Sequence, residues 1–287
     1  MLLIIGPSGP RSILLIESHA MNTEKITSRD NSLLKTARAV RDGKIDELIF
    51  IEGLRLCEEA LLSNLPLEAV IVSDELAQKT KPIELLEKLA AASIRIALVS
   101  EALLTTVSYT KTPQGIVALA SRPAIDEDEF AARLPSTPLL VVLHGINNPV
   151  NVGAIMRTAE AAGAAGIITT THTSDAFSPK SLRGAMGSAF RLPVWSKVLY
   201  TKVIDWCREK AMSVVCADAA GEVIYSELDW TGACALVMGP ESSGFNETEL
   251  SESNAVVTIP MHGQVESLNV GVAAAVILYE AARQRES

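Results

Sequence analysis

Asn147-Asn148-Pro149-Val150-Asn151-Val152-Gly153-Ala154-Ile155-Met156-Arg157-Thr158 comes shortly after Leu139-Leu140-Val141-Val142-Leu143. The second run is apolar without interruption, as a parallel strand buried on both faces should be. The first begins with polar and turn-forming residues and continues as an apolar helix over 151–162. A strand, a polar turn and a helix in that order form the repeating unit of an α/β sheet. Arg157 is the one charge in that helix before Glu160, and arginine rarely enters an apolar face without a partner. Taken alone, Arg157 would be read as tying the helix to an acid; a substrate phosphate is the other partner it could hold.

Two further stretches in the C-terminal half repeat the pattern. Gly239-Pro240-Glu241-Ser242-Ser243-Gly244 follows the apolar run 233–238, and Ile259-Pro260-Met261 leads from the run 255–259 to Glu266-Ser267-Leu268-Asn269. Each places small or polar residues where a strand should end. Ligands of open α/β sheets bind outside the carboxyl ends of strands, so three such edges point to one composite site. Singly, each has a simpler reading: a strand-to-helix turn at 239–244, and helix N-caps at Ser267 and Asn269 or, in the first stretch, Asn151. Gly153 allows a close backbone approach, and the carboxylate of Glu241 could accept backbone N–H groups or pair with Arg157.

The remaining pattern fills in the α/β alternation. Strands are expected over 166–170 and 213–217, and helices over 181–189, 202–211 and 268–283. In the N-terminal half, strands are expected over 47–51, 67–72, 94–99 and 115–120. Helices are expected over 31–41, 53–62 and 81–92. Between the halves, residues 121–137 carry two prolines and Asp126-Glu127-Asp128-Glu129, and read as a linker. The expected organisation is therefore an extension over 1–21, a first domain over 22–120, the linker, and a second domain over 138–287.

At 287 residues the chain is long enough for two domains. It is 48% hydrophobic but only 4% aromatic, so aliphatic side chains must build the cores. The formal charge of -9 argues against broad electrostatic binding of nucleic acid, while leaving room for local basic patches. The four cysteines and four histidines show no metal-ligand spacing, so no metal site is expected. The thiols read as buried groups of a reducing cytoplasm. Neither apolar run in 1–21 approaches the roughly 20 residues of a membrane span, and Gly6-Pro7-Ser8-Gly9-Pro10 lacks the Lys of a phosphate-binding loop. The Gly-x-Gly-x-x-Gly of dinucleotide enzymes is absent after every candidate strand.

Together, Asn151-x-Gly153-x-x-x-Arg157-Thr158, Gly239-x-Glu241-x-x-Gly244 and Ile259-Pro260-Met261 leading to Ser267-Leu268-Asn269-Val270 resemble, in order, the three signature motifs of the SpoU (TrmH-like) RNA 2'-O-ribose methyltransferases, a branch of the SPOUT superfamily. The resemblance spans about 139–283, and Pro179-Lys180-Ser181-Leu182-Arg183-Gly184 also fits it. One departure is Gly271, where many relatives have Ser; a difference in helix packing is expected there. The N-terminal half resembles the family's L30e-like substrate-binding domain, including Thr112-Pro113-Gln114-Gly115.

The resemblance implies a parallel sheet with a deep trefoil knot and a homodimer. It also implies S-adenosylmethionine held by turns at Gly239, Ile259, Met261 and Leu268. Transfer of its methyl to a ribose 2'-hydroxyl would be steered by Arg157, with positioning favoured over deprotonation. Asn151 and Glu241 would orient Arg157 or the substrate, and Ser267 and Asn269 would support cofactor and nucleotide. RNA would be gripped by Lys35, Arg38, Arg41 and Arg55 on the first domain, and by Lys180, Arg183, Arg191 and Lys197 on the second. Ribosomal RNA is the expected substrate. A tRNA methyltransferase, or a non-catalytic RNA-binding assembly factor retaining the fold, are the alternatives.

Overall fold

The computed structural model describes residues 23–80, 82–240 and 243–286. The extension over 1–21 and the side chain of Glu241 lie outside the described residues. The chain divides into two compact units between Arg122 and Pro123.

The first unit is a five-stranded mixed sheet of β1 (Thr23–Lys25), β2 (Leu48–Glu52), β3 (Leu67–Ser73), β4 (Arg95–Val99) and β5 (Ile116–Ser121), in the order β1-β4-β3-β5-β2. The first three in that order run parallel, and β5 runs antiparallel to both of its neighbours. Helices Ser32–Arg41 and Glu101–Val107 pack with the sheet through Leu34, Ala37 and Leu104, which meet Phe50, Ile71 and Val117 in one core. Asn31 starts its helix as expected, its Oδ1 accepting from the Leu33 amide at 2.8 Å.

The second unit carries β6 (Leu139–Leu143), β7 (Gly166–Thr170), β8 (Val194–Val198), β9 (Ser213–Ala217), β10 (Val223–Ile224), β11 (Cys234–Met238) and β12 (Ala255–Thr258). They form one seven-stranded sheet, β10-β12-β9-β11-β6-β7-β8, with every pair parallel. All residues of β6 and β11 are buried, which is why their sequences are apolar without alternation. From β6 the chain winds outward through β7 to β8, then crosses to β9 on the other side of β11. The sheet reverses its winding there, and such reversals open a crevice at the strand ends.

Residues 123–137 differ from the expected linker and belong to the second unit. Asp126 caps a helix, Glu127–Ala132, by accepting from the Glu129 amide at 2.9 Å. The acidic run thus occupies a helix N-terminus, where carboxylates complement the dipole. Phe130 on that helix is wholly buried against Trp195 and Trp206, with ring centroids 5.8 and 5.9 Å away. The single helix expected over 181–189 is two, Pro179–Ala185 and Ser188–Arg191, broken where Met186 and Gly187 take φ of 48° and 96°. Gly153 is the reason Pro179–Ala185 can come so close: a Cβ there would collide with the Ser181 carbonyl oxygen and the Gly184 backbone.

Candidate functional site

At the carboxyl ends of β9, β11 and β12 the second unit opens a cleft of about 600 Å³, within the range of small-molecule sites. Four stretches of the chain line it: Ala217–Ala219, Met238–Pro240 with Gly244 and Phe245, then Val257, Ile259 and Met261, and finally Ser267–Val270 with Ala273 and Ile277 of the C-terminal helix. Of the sequence-predicted residues, the fold therefore brings Gly239, Ile259, Met261, Ser267, Leu268 and Asn269 to one cleft. Gly239 has a local cause. The Phe245 ring lies flush beneath it, so a Cβ at 239 would strike the ring.

Asn151 and Arg157 stand outside the lining, on the helix Pro149–Ala161. The N-cap of that helix is Asn148, whose Oδ1 accepts from the Val150 amide at 3.0 Å, and not Asn151. Pro149, lacking an N–H, occupies the first helical position and shifts the start back by two residues. Asn151 is buried in the helix, and its Oδ1 accepts from Asn269 Nδ2 at 3.3 Å. Asn269 in turn caps the C-terminal helix through the Gly271 amide at 2.9 Å. One carboxamide pair thus joins the cleft to the Arg157 helix. Gly271 keeps that junction close: a Cβ there would lie 3.2 Å from Asn269 Oδ1 and 3.8 Å from Ala154 Cβ.

Arg157 is exposed and makes no hydrogen bond or ion pair with another described residue. Its nearest acid along the helix, Glu160, is already engaged. Arg191 donates to both Glu160 oxygens at 2.5 and 2.8 Å, and Ser188 Oγ donates at 2.6 Å. The Arg191 guanidinium, with help from Ser188, holds the Glu160 carboxyl below the usual carboxylate range despite partial burial. Lys180 and Arg183 are also exposed, on the helix that packs against the Arg157 helix, and Lys197 is exposed just beyond; none has an ion pair with another described residue.

The cations expected to grip RNA on the first unit are differently placed. Arg41 donates to the carbonyls of Thr106, Val107 and Ser108 at 3.0–3.2 Å and to Asp42 at 2.8 Å. Arg38 donates to the Arg29 carbonyl and Thr106 Oγ1 at 2.8 and 3.4 Å. Arg41 completes the C-terminal end of the helix Glu101–Val107, where orphan carbonyls favour a cation, while Arg38 ties that helix to the chain before Ser32. Lys35 pairs with Asp30 at 3.3 Å and Arg55 with Glu59 at 2.6 Å. Arg191, as noted, is spent on Glu160.

Sequence reasoning missed three residues here. Asp218, following β9, supplies the one carboxylate lining the cleft among the described residues. Its Oδ1 accepts from the Ala220 amide at 2.9 Å, and its place after a strand was the available signal. Phe245 forms part of the wall, and His144 lies behind it. Burial and the neighbouring Cys216 push the Tyr200 hydroxyl up, while burial pushes the Cys216 thiol up to about 11. Neither group ionises near neutrality. Among the described residues, no cluster of His, Cys, Asp and Glu could hold a metal ion, and no helix is long and apolar enough to cross a membrane.

Comparison with known proteins agrees with this geometry. Residues 138–279 match the model of the SpoU rRNA Methylase family, and residues 50–125 match that of the RNA 2'-O ribose methyltransferase substrate-binding region. The chain is 32% identical over 229 residues to the 23S rRNA (guanosine(2553)-2'-O)-methyltransferase RlmP of Bacillus subtilis, covering 80% of this chain and 86% of that one. It is 34% identical over 207 residues to the 23S rRNA (guanosine-2'-O-)-methyltransferase RlmB of Coxiella burnetii, covering 71% and 82%. The AdoMet-bound rRNA methyltransferase structure from Sinorhizobium meliloti superposes with a TM-score of 0.80 at 29% identity, over 91% of this chain and 98% of that one. The fold agrees with these matches, and the chain belongs to the SpoU rRNA Methylase family.

Proposed function

We propose that this protein transfers a methyl group from S-adenosylmethionine to a ribose 2'-hydroxyl of ribosomal RNA. One observation carries the reading. Three turns from separate parts of the chain meet in a single cleft, and the Asn269–Asn151 bond ties that cleft to the helix bearing Arg157, which is unpaired among the described residues. The curated relatives quoted above act on 23S rRNA, which favours ribosomal RNA over tRNA.

The residues present fit the cofactor. Gly239 offers a side-chain-free turn beside Phe245, and the Ile259–Met261 and Ser267–Asn269 segments offer backbone donors and acceptors. Asp218 can accept from a hydroxyl or an ammonium group. When bound, S-adenosylmethionine supplies an electrophilic methyl on a sulfonium. The protein's task is then positioning. Arg157, with no acidic partner among the described residues, holds an RNA phosphate so that the neighbouring 2'-hydroxyl faces the cleft. Asn151 fixes the helix that carries Arg157, through Asn269. Glu241 would orient Arg157 or the substrate, and Ser267 supports the nucleotide. Lys180 and Arg183 add phosphate contacts. Lys35, Arg38 and Arg41 are assigned to the fold of the first unit instead.

Finer features of this reading follow the family. A trefoil knot over the C-terminal segment is supported by β12 lying between β9 and β10 while the following turn returns to line the cleft. An L30e-like RNA-binding role for the first unit is supported by its match to the substrate-binding model. A homodimer is supported by Val150, Leu268, Val272 and Tyr279, apolar side chains 37–56% exposed. A cytoplasmic setting is supported by four free, buried cysteines.

The test is methyl transfer from labelled S-adenosylmethionine to ribosomal RNA and to tRNA, followed by mapping of ribose methylation. Label at a single 2'-oxygen of ribosomal RNA is expected. Uptake of cofactor without transfer to any RNA would instead favour an assembly factor.

A further inference from the structure

His144 follows β6 and belongs to none of the three motifs, yet it is more than nine-tenths buried. Its Nδ1 lies 3.1 Å from Thr170 Oγ1 and its Nε2 lies 3.1 Å from Glu249 Oε1. Its ring stacks between Tyr200, with centroids 4.3 Å apart, and Phe245, 6.1 Å away at an interplanar angle of 18°. The His144 amide donates to the Met238 carbonyl at 2.9 Å, directly before the Gly239 turn. A Cβ on the next residue, Gly145, would lie 3.0 Å from Pro240 Cγ.

These contacts all bear on one stretch of chain, residues 239–246, which joins β11 to the helix Glu247–Ser251 without regular structure of its own among the described residues. Its start is fixed by β11. At its far end, Glu249 closes a capping box with Asn246 through Oε2 and reaches His144 with Oε1. Near that end, Phe245 turns its ring back under Gly239 and faces the cleft. His144 therefore touches both the aromatic that supports the turn and the carboxylate that anchors the end of the segment. Thr170 holds the imidazole from behind. The Thr173 hydroxyl donates to the Leu143 carbonyl at 2.6 Å and lies 3.3 Å from Thr170 Oγ1, so that pair is itself fixed to β6.

We propose that His144 is a positioning residue for the cofactor: a strut that sets the Gly239 turn and the Phe245 wall by joining Glu249 to the β6–β7 edge. The inference rests on the functional reading above. The imidazole touches neither reacting group, so its removal acts on cofactor affinity and leaves the transfer step intact. The bond from His144 to Glu249 has a carboxylate acceptor in a partly buried site, the stronger class of hydrogen bond.

The experiment compares wild type, His144→Ala, His144→Gln and Glu249→Gln, each checked for folding by thermal denaturation. KM for S-adenosylmethionine and kcat are measured with ribosomal RNA, and cofactor binding is measured directly by calorimetry. For His144→Ala the expected result is a rise of about tenfold in KM and in the dissociation constant, with kcat within about twofold, as for loss of one charge-assisted bond. Gln can place an amide N–H near the position of Nε2, so His144→Gln is expected to recover most of the affinity. Glu249→Gln keeps the capping box but weakens the bond to His144, and is expected to fall between Ala and wild type. Cofactor uptake by wild type together with an unchanged KM in folded His144→Ala, or a loss confined to kcat, would overturn the inference alone. No uptake by folded wild-type protein would overturn the functional reading and the inference with it.

Discussion

Arg41 and Arg157 are both arginines on well-formed helices, and their fates are opposite. Arg41 spends its guanidinium on three main-chain carbonyls and Asp42. Arg157 has no partner among the described residues, because the acid one turn away is held by Arg191 and Ser188. The difference lies in what the fold presents to each side chain. A helix C-terminus ending beside Arg41 offers orphan carbonyls, whereas the Arg157 helix has its one nearby carboxylate already taken. A cation's role is therefore set by the acceptors the fold leaves open, and counting basic residues overstates the surface available to RNA.

Substitutions can break this comparison. The largest effect should come from Arg157→Ala. Methyl transfer is expected to drop by about 10²-fold or more, with the melting temperature and S-adenosylmethionine affinity unchanged. A loss of stability in place of activity would make Arg157 structural, like Arg41. The converse is expected of Arg41→Ala: a loss of about 2 kcal/mol in denaturant unfolding, and unaltered RNA affinity once the folded fraction is accounted for. Next in size, the double substitution Lys180→Ala with Arg183→Ala should weaken RNA binding several-fold and flatten its salt dependence by about two phosphate contacts. A flat response would remove that helix from the RNA surface.

The smallest effect concerns Glu160. Its carboxyl is held below the ordinary range in the folded protein. Its contribution should thus be complete above the range in which an unfolded glutamate titrates, and vanish as pH falls through the lowered folded value. The pair is partly open to solvent, so the stability difference between wild type and Glu160→Gln should be about 0.5 kcal/mol at neutral pH and disappear in strong acid. Persistence of the difference in acid would mean that packing, not charge, joins the two helices.

The three cleft turns were readable in the sequence because backbone recognition demands residues that keep side chains out of the way. Gly239, Pro260 and the Ser267–Asn269 cap each interrupt an apolar run, and an interruption is visible without a structure. His144, Asp218 and Phe245 left no such mark. Each is a single residue beside a strand end or in a turn, and only the sheet order brings Asp218 and Phe245 to one cleft with His144 behind it. The strand Val194–Val198 was equally hidden, since Lys197, at a φ of 59°, interrupts its apolar pattern. Asp126–Glu129 misled for a different reason: an acidic run suits a solvated linker and a helix N-terminus alike. Only the burial of Phe130 decides between them.

The cleft draws Ile259, Met261 and Ser267–Asn269 from a part of the chain made after β11. Synthesis proceeds from the amino end and domains fold as they emerge. The first unit and the strands β6 to β9 and β11 can thus form while the cleft still lacks one wall. A nascent chain paused before β12 would hold most of the sheet around a cleft open on one side, so the cleft closes late, when residues 255–269 join it.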